Sequence, residues 1–348
     1  MLQPWPEGSR WLAAHLFFTP SYGIYTPECD RMVMEVAEPF VRRFQREGWG
    51  DGHFFIRYSE HGPHVRLRLH GTAEEMEGTV WPALQEHVRA QYPDVVFEKP
   101  DVPAYPTAPE PPRETPPDEP LRLTHVALIE YEPETDRYGG AEGVRLAERF
   151  FEVSSEAAYA LMHRMGGERS SRLGKGLLTM VELVHVFSRG SREHAVRWMQ
   201  QYNTGYLRGV TRDEEGRQAW LGAFDSGYDS QAETLGAYVE EVWSRMNEGE
   251  ELSQALDLYR DGLQEVRGHF EELFEARLLG RSPEPFTTWE TAVGAICSSY
   301  LHMMNNRLGI TIQEESYLAY LIMRTLQRDP PAGDEDETAQ AQPAAAEG

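Results

Sequence analysis

The chain has 348 residues and a formal net charge of −24, and 40% of its residues are hydrophobic, enough for a substantial core. Such acidity argues against a broad phosphate-binding face. No apolar run approaches the roughly 18 residues of a membrane span, and Met1-Leu2-Gln3-Pro4-Trp5-Pro6-Glu7 lacks the basic head and apolar stretch of a signal peptide. Two distant cysteines, Cys29 and Cys297, build neither a disulfide framework nor a metal cluster, so a reduced, cytoplasmic protein is expected.

Residues 11–19 read as an opening strand. Over 28–47, Met32, Val36, Phe40 and Phe44 recur at helical spacing, and Pro39 is expected to kink that helix. A hairpin follows, 53–59 and 64–70, joined by the turn residues Glu60-His61-Gly62-Pro63. A second helix lies within 73–92, capped by Thr72 and carrying Pro82. Nine prolines between 99 and 120 exclude a helix or central strand there, which predicts an extended surface linker. Residues 121–131 resume as a strand. The chain from 141 to 327 reads as mostly helical, most clearly at 141–165, 176–188, 252–279, 288–307 and 312–327. Residues 329–348 are acidic and alanine-rich without a basic side chain, the composition of a disordered tail. Strands first and helices later predict an α+β fold: a small, mostly antiparallel sheet from the N-terminal third, packed with a largely helical C-terminal half. Residues 1–328 are expected to form a single domain.

Three segments carry candidate chemistry. In the second hairpin strand, Val65, Leu67 and Leu69 fall on one face and His64, Arg66, Arg68 and His70 on the other. Arg66 and Arg68 then stand roughly 7 Å apart, a planar, permanently charged pair suited to carboxylates. A solvated basic strand face would show the same pattern. The second segment, Tyr131 to Gly140, is a bend between strand and helix. Arg137 is its only cation, Glu134 lies three residues before it, and Gly139-Gly140 permits close approach of a ligand. A salt-bridged turn is the other reading. In the third, helical spacing puts Ser298, Ser299, His302, Asn305 and Asn306 on one polar face, where a histidine can be oriented and can titrate near neutrality. A helical histidine can equally be structural. No zinc-protease, serine-elbow, Walker or dinucleotide motif is present, so neither a metal nor a cofactor is expected.

Together, Phe55-Ile56-Arg57-Tyr58 … Gly62-Pro63-His64-Val65-Arg66-Leu67-Arg68, Tyr131-Glu132-Pro133-Glu134 … Arg137-Tyr138-Gly139-Gly140 and Ser299 … His302-Met303 … Asn306-Arg307 resemble the C-terminal elimination domain of class I lantibiotic dehydratases, which also occurs alone as the thiopeptide-type bacteriocin biosynthesis proteins. The resemblance runs from about residue 10 to 327. It implies a lyase that removes glutamate from glutamylated Ser or Thr of a precursor peptide, leaving dehydroalanine or dehydrobutyrine. By the same resemblance, Arg66, Arg68, Arg137 and His302 are the catalytic candidates. Glu134, His64, Ser299 and Asn306 are the substrate-binding candidates, and the group that takes the Cα proton is not assigned. The implied partners are the precursor peptide and a separate glutamyl-tRNA-dependent glutamylation protein, with no direct contact to nucleic acid or membrane. A homodimer is compatible with the sequence. Two other activities are compatible with the fold family. One is a pyridine synthase joining two dehydroalanines by [4+2] cyclisation, a branch that lacks the elimination arginines and histidine. The other is a non-catalytic subunit that delivers the precursor peptide.

Overall fold

The computed structural model describes residues 5–19, 23–98, 121–165, 169–211, 213–281 and 284–328. The expected linker at 99–120 and tail at 329–348 lie outside them. Five strands form one sheet: β1 (Ser9–Thr19), β2 (Gly52–Tyr58), β3 (His64–Thr72), β4 (Val96–Glu98) and β5 (Arg122–Leu128). Their spatial order is β2-β3-β1-β5-β4, antiparallel except for the β4–β5 pair. The sheet packs against a larger helical part, and the fold is α+β.

The helices are α1 (27–47), α2 (73–91), α3 (Ala141–Met162), α4 (Arg169–Phe187), α5 (Arg192–Val210), α6 (Glu214–Asp229), α7 (Ala232–Glu248), α8 (Gln254–Glu275), α9 (289–308) and α10 (Ile312–Leu326). Three of them, α1, α2 and α9, contain a wider π-helical stretch, at Met32–Ala37, Met76–Val80 and Val293–Cys297. In α1 this stretch stands where a proline kink is expected. Pro39 cannot donate to the carbonyl of Glu35. The Gln91 side chain donates to that carbonyl at 3.3 Å, and His87 lies 3.0 Å from the carbonyl of Val36. Helices α1 and α2 are thereby stitched together at the irregular turn.

Val65, Leu67 and Leu69 are fully buried in the core, as alternation requires. In β1, their cross-strand partners Leu16, Ala14 and Leu12 continue that apolar face. Helix α3 runs beside β2, where Phe55 stacks on Tyr159 at 4.9 Å and Phe54 meets Phe151 at 5.1 Å. The strand expected over 121–131 ends at Leu128. Helices α5 to α7 are the largest part of the fold the sequence left undivided, although Ser191 and Asp213 cap α5 and α6 through the amides of His194 and Gly216.

Candidate functional site

The face of β3 opposite the core is not a wet basic surface. His64, Arg68 and His70 are each no more than 5% exposed. With β1 and β2, this face floors a cleft of about 620 Å³ lined by His15, Phe54, Ile56, Arg66 and Arg68. The chain leaving β5 walls the cleft through Leu128 to Glu132, Glu134 and Tyr138, and Phe151 and Met303 close it from α3 and α9.

The register explains how the two arginines are held. His64 Nδ1 lies 2.9 Å from the carbonyl of Gly62, a contact that requires the proton on Nδ1. His64 Nε2 is then the acceptor for Arg66 Nε at 3.2 Å. The Arg66 guanidinium lies over the Tyr58 ring, 3.4 Å from its centroid. His64 therefore spends one ring nitrogen on the hairpin turn and the other on Arg66, so its hydrogen bonds orient an arginine. Arg68 lies one strand period further on, with its guanidinium carbon 5.6 Å from the Tyr131 ring centroid.

Sequence reading missed His15. It pairs with Arg66 across β1 and β3, stacks on His64 at 4.9 Å, and is 1% exposed. Neither of its ring nitrogens has a hydrogen-bond partner among the described residues. Burial, then Arg68, His64 and Arg66, drive its pKa far down, so the imidazole is neutral. The signal was its place in the alternation of the first strand, which becomes meaningful only once β1 is paired with β3.

His64 is pushed down to about 3 by burial, with the two arginines adding to the shift and the Gly62 carbonyl opposing it. An unfolded imidazole takes a proton near 6.5, so between that pH and about 3 the unfolded chain binds more protons at this site. The native state should therefore lose stability at this site as pH falls through that window. Urea titrations from pH 7 to 4 should show wild type losing stability relative to His64→Gln. Parallel pH curves for the two proteins would contradict the assignment.

The second and third segments meet beside the cleft. Arg137 donates from NH1 to Glu134 at 2.9 Å and from Nε to the Ser299 hydroxyl at 3.2 Å. The bend that presents it depends on glycine: Gly139 and Gly140 have φ of +84° and +99°, and Gly140 opens α3. On α9, His302 Nδ1 lies 3.1 Å from Oε2 of the fully buried Glu315, whose Oε1 accepts the Tyr202 hydroxyl proton. Burial, then Arg137 and Arg307, push His302 down to about 4. Burial raises Glu315 well above the usual carboxylate range. Both directions favour a His302–Glu315 pair without net charge. Arg137 and His302 do not themselves line the cleft. They adjoin it through Glu134 and Met303.

The expected single polar face of α9 divides among several neighbours. Ser298 accepts from Trp198 Nε1 at 3.0 Å in a separate pocket, and Ser299 faces Arg137. Asn306 spends its carboxamide on β2, accepting from the Arg57 amide and donating to the Arg57 carbonyl, both at 2.9 Å. Asn305 is wholly buried. Among the described residues no group of three or more His, Cys, Asp or Glu could hold a metal, and no helix is long and apolar enough to cross a membrane.

Comparison with known proteins places this α+β fold in a family. The family model described as "Lantibiotic biosynthesis dehydratase C-term" matches residues 11–326, and the chain belongs to that family. It is 26% identical over 172 residues to the subtilin biosynthesis protein SpaB of Bacillus subtilis, an alignment covering 49% of this chain and 14% of SpaB. Three solved structures, each 18% identical, share its fold. TbtD, a pyridine synthase from thiomuracin biosynthesis, has a TM-score of 0.67 over 91% of this chain and 97% of its own. TsrL has a TM-score of 0.62 over 91% and 94%. The tRNA-dependent lantibiotic dehydratase MibB from Microbispora sp. 107891 has a TM-score of 0.58 over 94% of this chain and 28% of its own.

Proposed function

We propose that this chain is a glutamate-elimination lyase acting on glutamylated Ser or Thr residues of a precursor peptide, with residues 11–326 working as one unit. The observation that carries the reading is Arg66 and Arg68 standing together on the floor of a largely buried cleft, beside the Arg137, Glu134 and His302 cluster. In the reaction a base removes the Cα proton and the electron pair is held as an enolate on the peptide carbonyl. That pair then forms the Cα=Cβ bond as the Cβ–O bond breaks and glutamate leaves as a carboxylate. Negative charge builds on the peptide carbonyl oxygen and then on the departing carboxylate. Guanidinium donors fixed on the cleft floor stabilise both. A neutral imidazole at His302, held through Nδ1, is suited to proton transfer.

The test is mass spectrometry of a glutamylated Ser/Thr peptide incubated with this protein alone. Loss of one whole glutamate per acylated residue supports the lyase, and an unchanged peptide refutes it. His302→Ala should lower kcat for glutamate release by about 10²-fold, read by the same assay. Near-normal turnover would remove His302 from the chemistry. A second reading, pyridine synthesis, is favoured by the near full-length fold match to TbtD. Ring formation from a peptide carrying two dehydroalanines, without glutamate release from a glutamylated one, would select it.

A further inference from the structure

Strand β1 is central in the sheet, yet among the described residues its pairing on one flank is incomplete. Strand β5 pairs with it only from Ala14 onward, and the last bond across this flank runs from the Ile129 amide to the Ala13 carbonyl, 3.0 Å. Residues Ser9–Ala13 keep β3 on the other flank. Strand hydrogen bonding alternates: the Gly8 carbonyl serves the β3 side, where it accepts from the Ala73 amide, and the Ala13 carbonyl serves the β5 side. The Trp11 amide and carbonyl and the Ala13 amide therefore point to the open flank, where no backbone group of the described residues pairs with them.

A second cavity of about 520 Å³ lies along this flank. Leu12, Met76 and Trp81 give it a buried apolar lining, and Arg10 and Glu77 form an ion pair between two exposed side chains beside it. Leu128 to Tyr131 line both this cavity and the arginine cleft, so the two lie on either side of one short segment.

We infer that the open flank of β1 binds an extended segment of the substrate peptide by strand addition, setting one apolar side chain over Met76 and Trp81 and leading the neighbouring residues past Tyr131 into the arginine cleft. This inference rests on the peptide-substrate reading above. Main-chain bonds to Trp11 and Ala13 supply affinity that does not depend on the peptide's sequence, and the apolar cavity supplies a coarse preference.

The test is hydrogen–deuterium exchange of the intact protein with and without a saturating amount of the unmodified precursor peptide encoded with it. Binding should slow exchange at the Trp11 and Ala13 amides by about tenfold or more. Failure to bind, or binding without protection over 9–13, overturns the inference. Glu77→Trp, placing a bulky side chain beside the cavity, should raise KM for a glutamylated full-length peptide by about tenfold. Its kcat, and turnover of a glutamylated tripeptide too short to reach the flank, should stay unchanged, and an unchanged KM overturns the inference. Protection at 9–13 without glutamate release would keep the peptide seat and remove the lyase. Glutamate release without protection would do the reverse.

Discussion

Arg68→Ala should slow glutamate release by about 10³-fold, with the glutamylated peptide accumulating intact. Arg68 is 5% exposed in the cleft floor, and its Cα partner across the hairpin is Phe54. On the proposed mechanism, truncation removes a cation from the place where carboxylate and enolate charge is held, and a single preorganised donor at such a place is worth about 10²–10³ in rate. Arg66→Ala should act in the same direction. It also leaves His64 Nε2 without its donor, so His64 loses its orienting role with it. Circular dichroism and the urea midpoint distinguish lost chemistry from lost fold. A folded Arg68→Ala protein that still releases glutamate at the wild-type rate would disprove the site assignment.

Arg57→Ala should unfold the protein under conditions that wild type tolerates, at a cost of about 3–5 kcal/mol. Arg57 is fully buried in β2, on the face opposite Arg66 and Arg68. Its NH2 lies 2.6 Å from Asp30 at the start of α1, its NH1 donates to the Ile24 carbonyl at 3.3 Å, and its Nε donates to the Arg307 carbonyl at 3.0 Å. One guanidinium thus joins the sheet, the N-terminal helix and the end of the site helix. Removing it takes a donor from two carbonyls and leaves the Asp30 carboxylate, among the described residues, with Arg172 as its cationic partner. A urea midpoint within error of wild type would contradict this. Arg57→Lys should recover little, because an ammonium cannot reproduce the planar fork across three partners.

These two arginines mark what was legible in the sequence and what was not. Alternation alone separated Arg66 and Arg68 from Val65, Leu67 and Leu69, because a strand offers two faces and one of them was uniformly apolar. The glycine bend and Arg137 were visible as local chemistry. Arg57 belongs to the same sequence motif, but nothing local distinguishes a guanidinium that faces a cleft from one that ties three elements together. His15 and Glu315 were invisible for the same reason. Their partners, Arg66 and His302, lie 51 and 13 residues away. Periodicity likewise gave α9 one polar face, whereas the packing of α5, the bend before α3, α10 and β2 around it assigns Ser298, Ser299, His302 and Asn306 to different neighbours.

The Asn306 clasp has a consequence for how this protein behaves beside copies of itself. Strand β2 ends the sheet, and a bare terminal strand is a template on which another chain can polymerise. Here Ser155 of α3 takes the Phe55 amide at 3.3 Å, and Asn306 takes both polar groups of Arg57. A helix hydroxyl and a carboxamide thus imitate part of a sixth strand and occupy three of that border's polar groups. The opposite border is a strand, β4, of only three residues, and the step in β1 is where the inferred peptide seat lies.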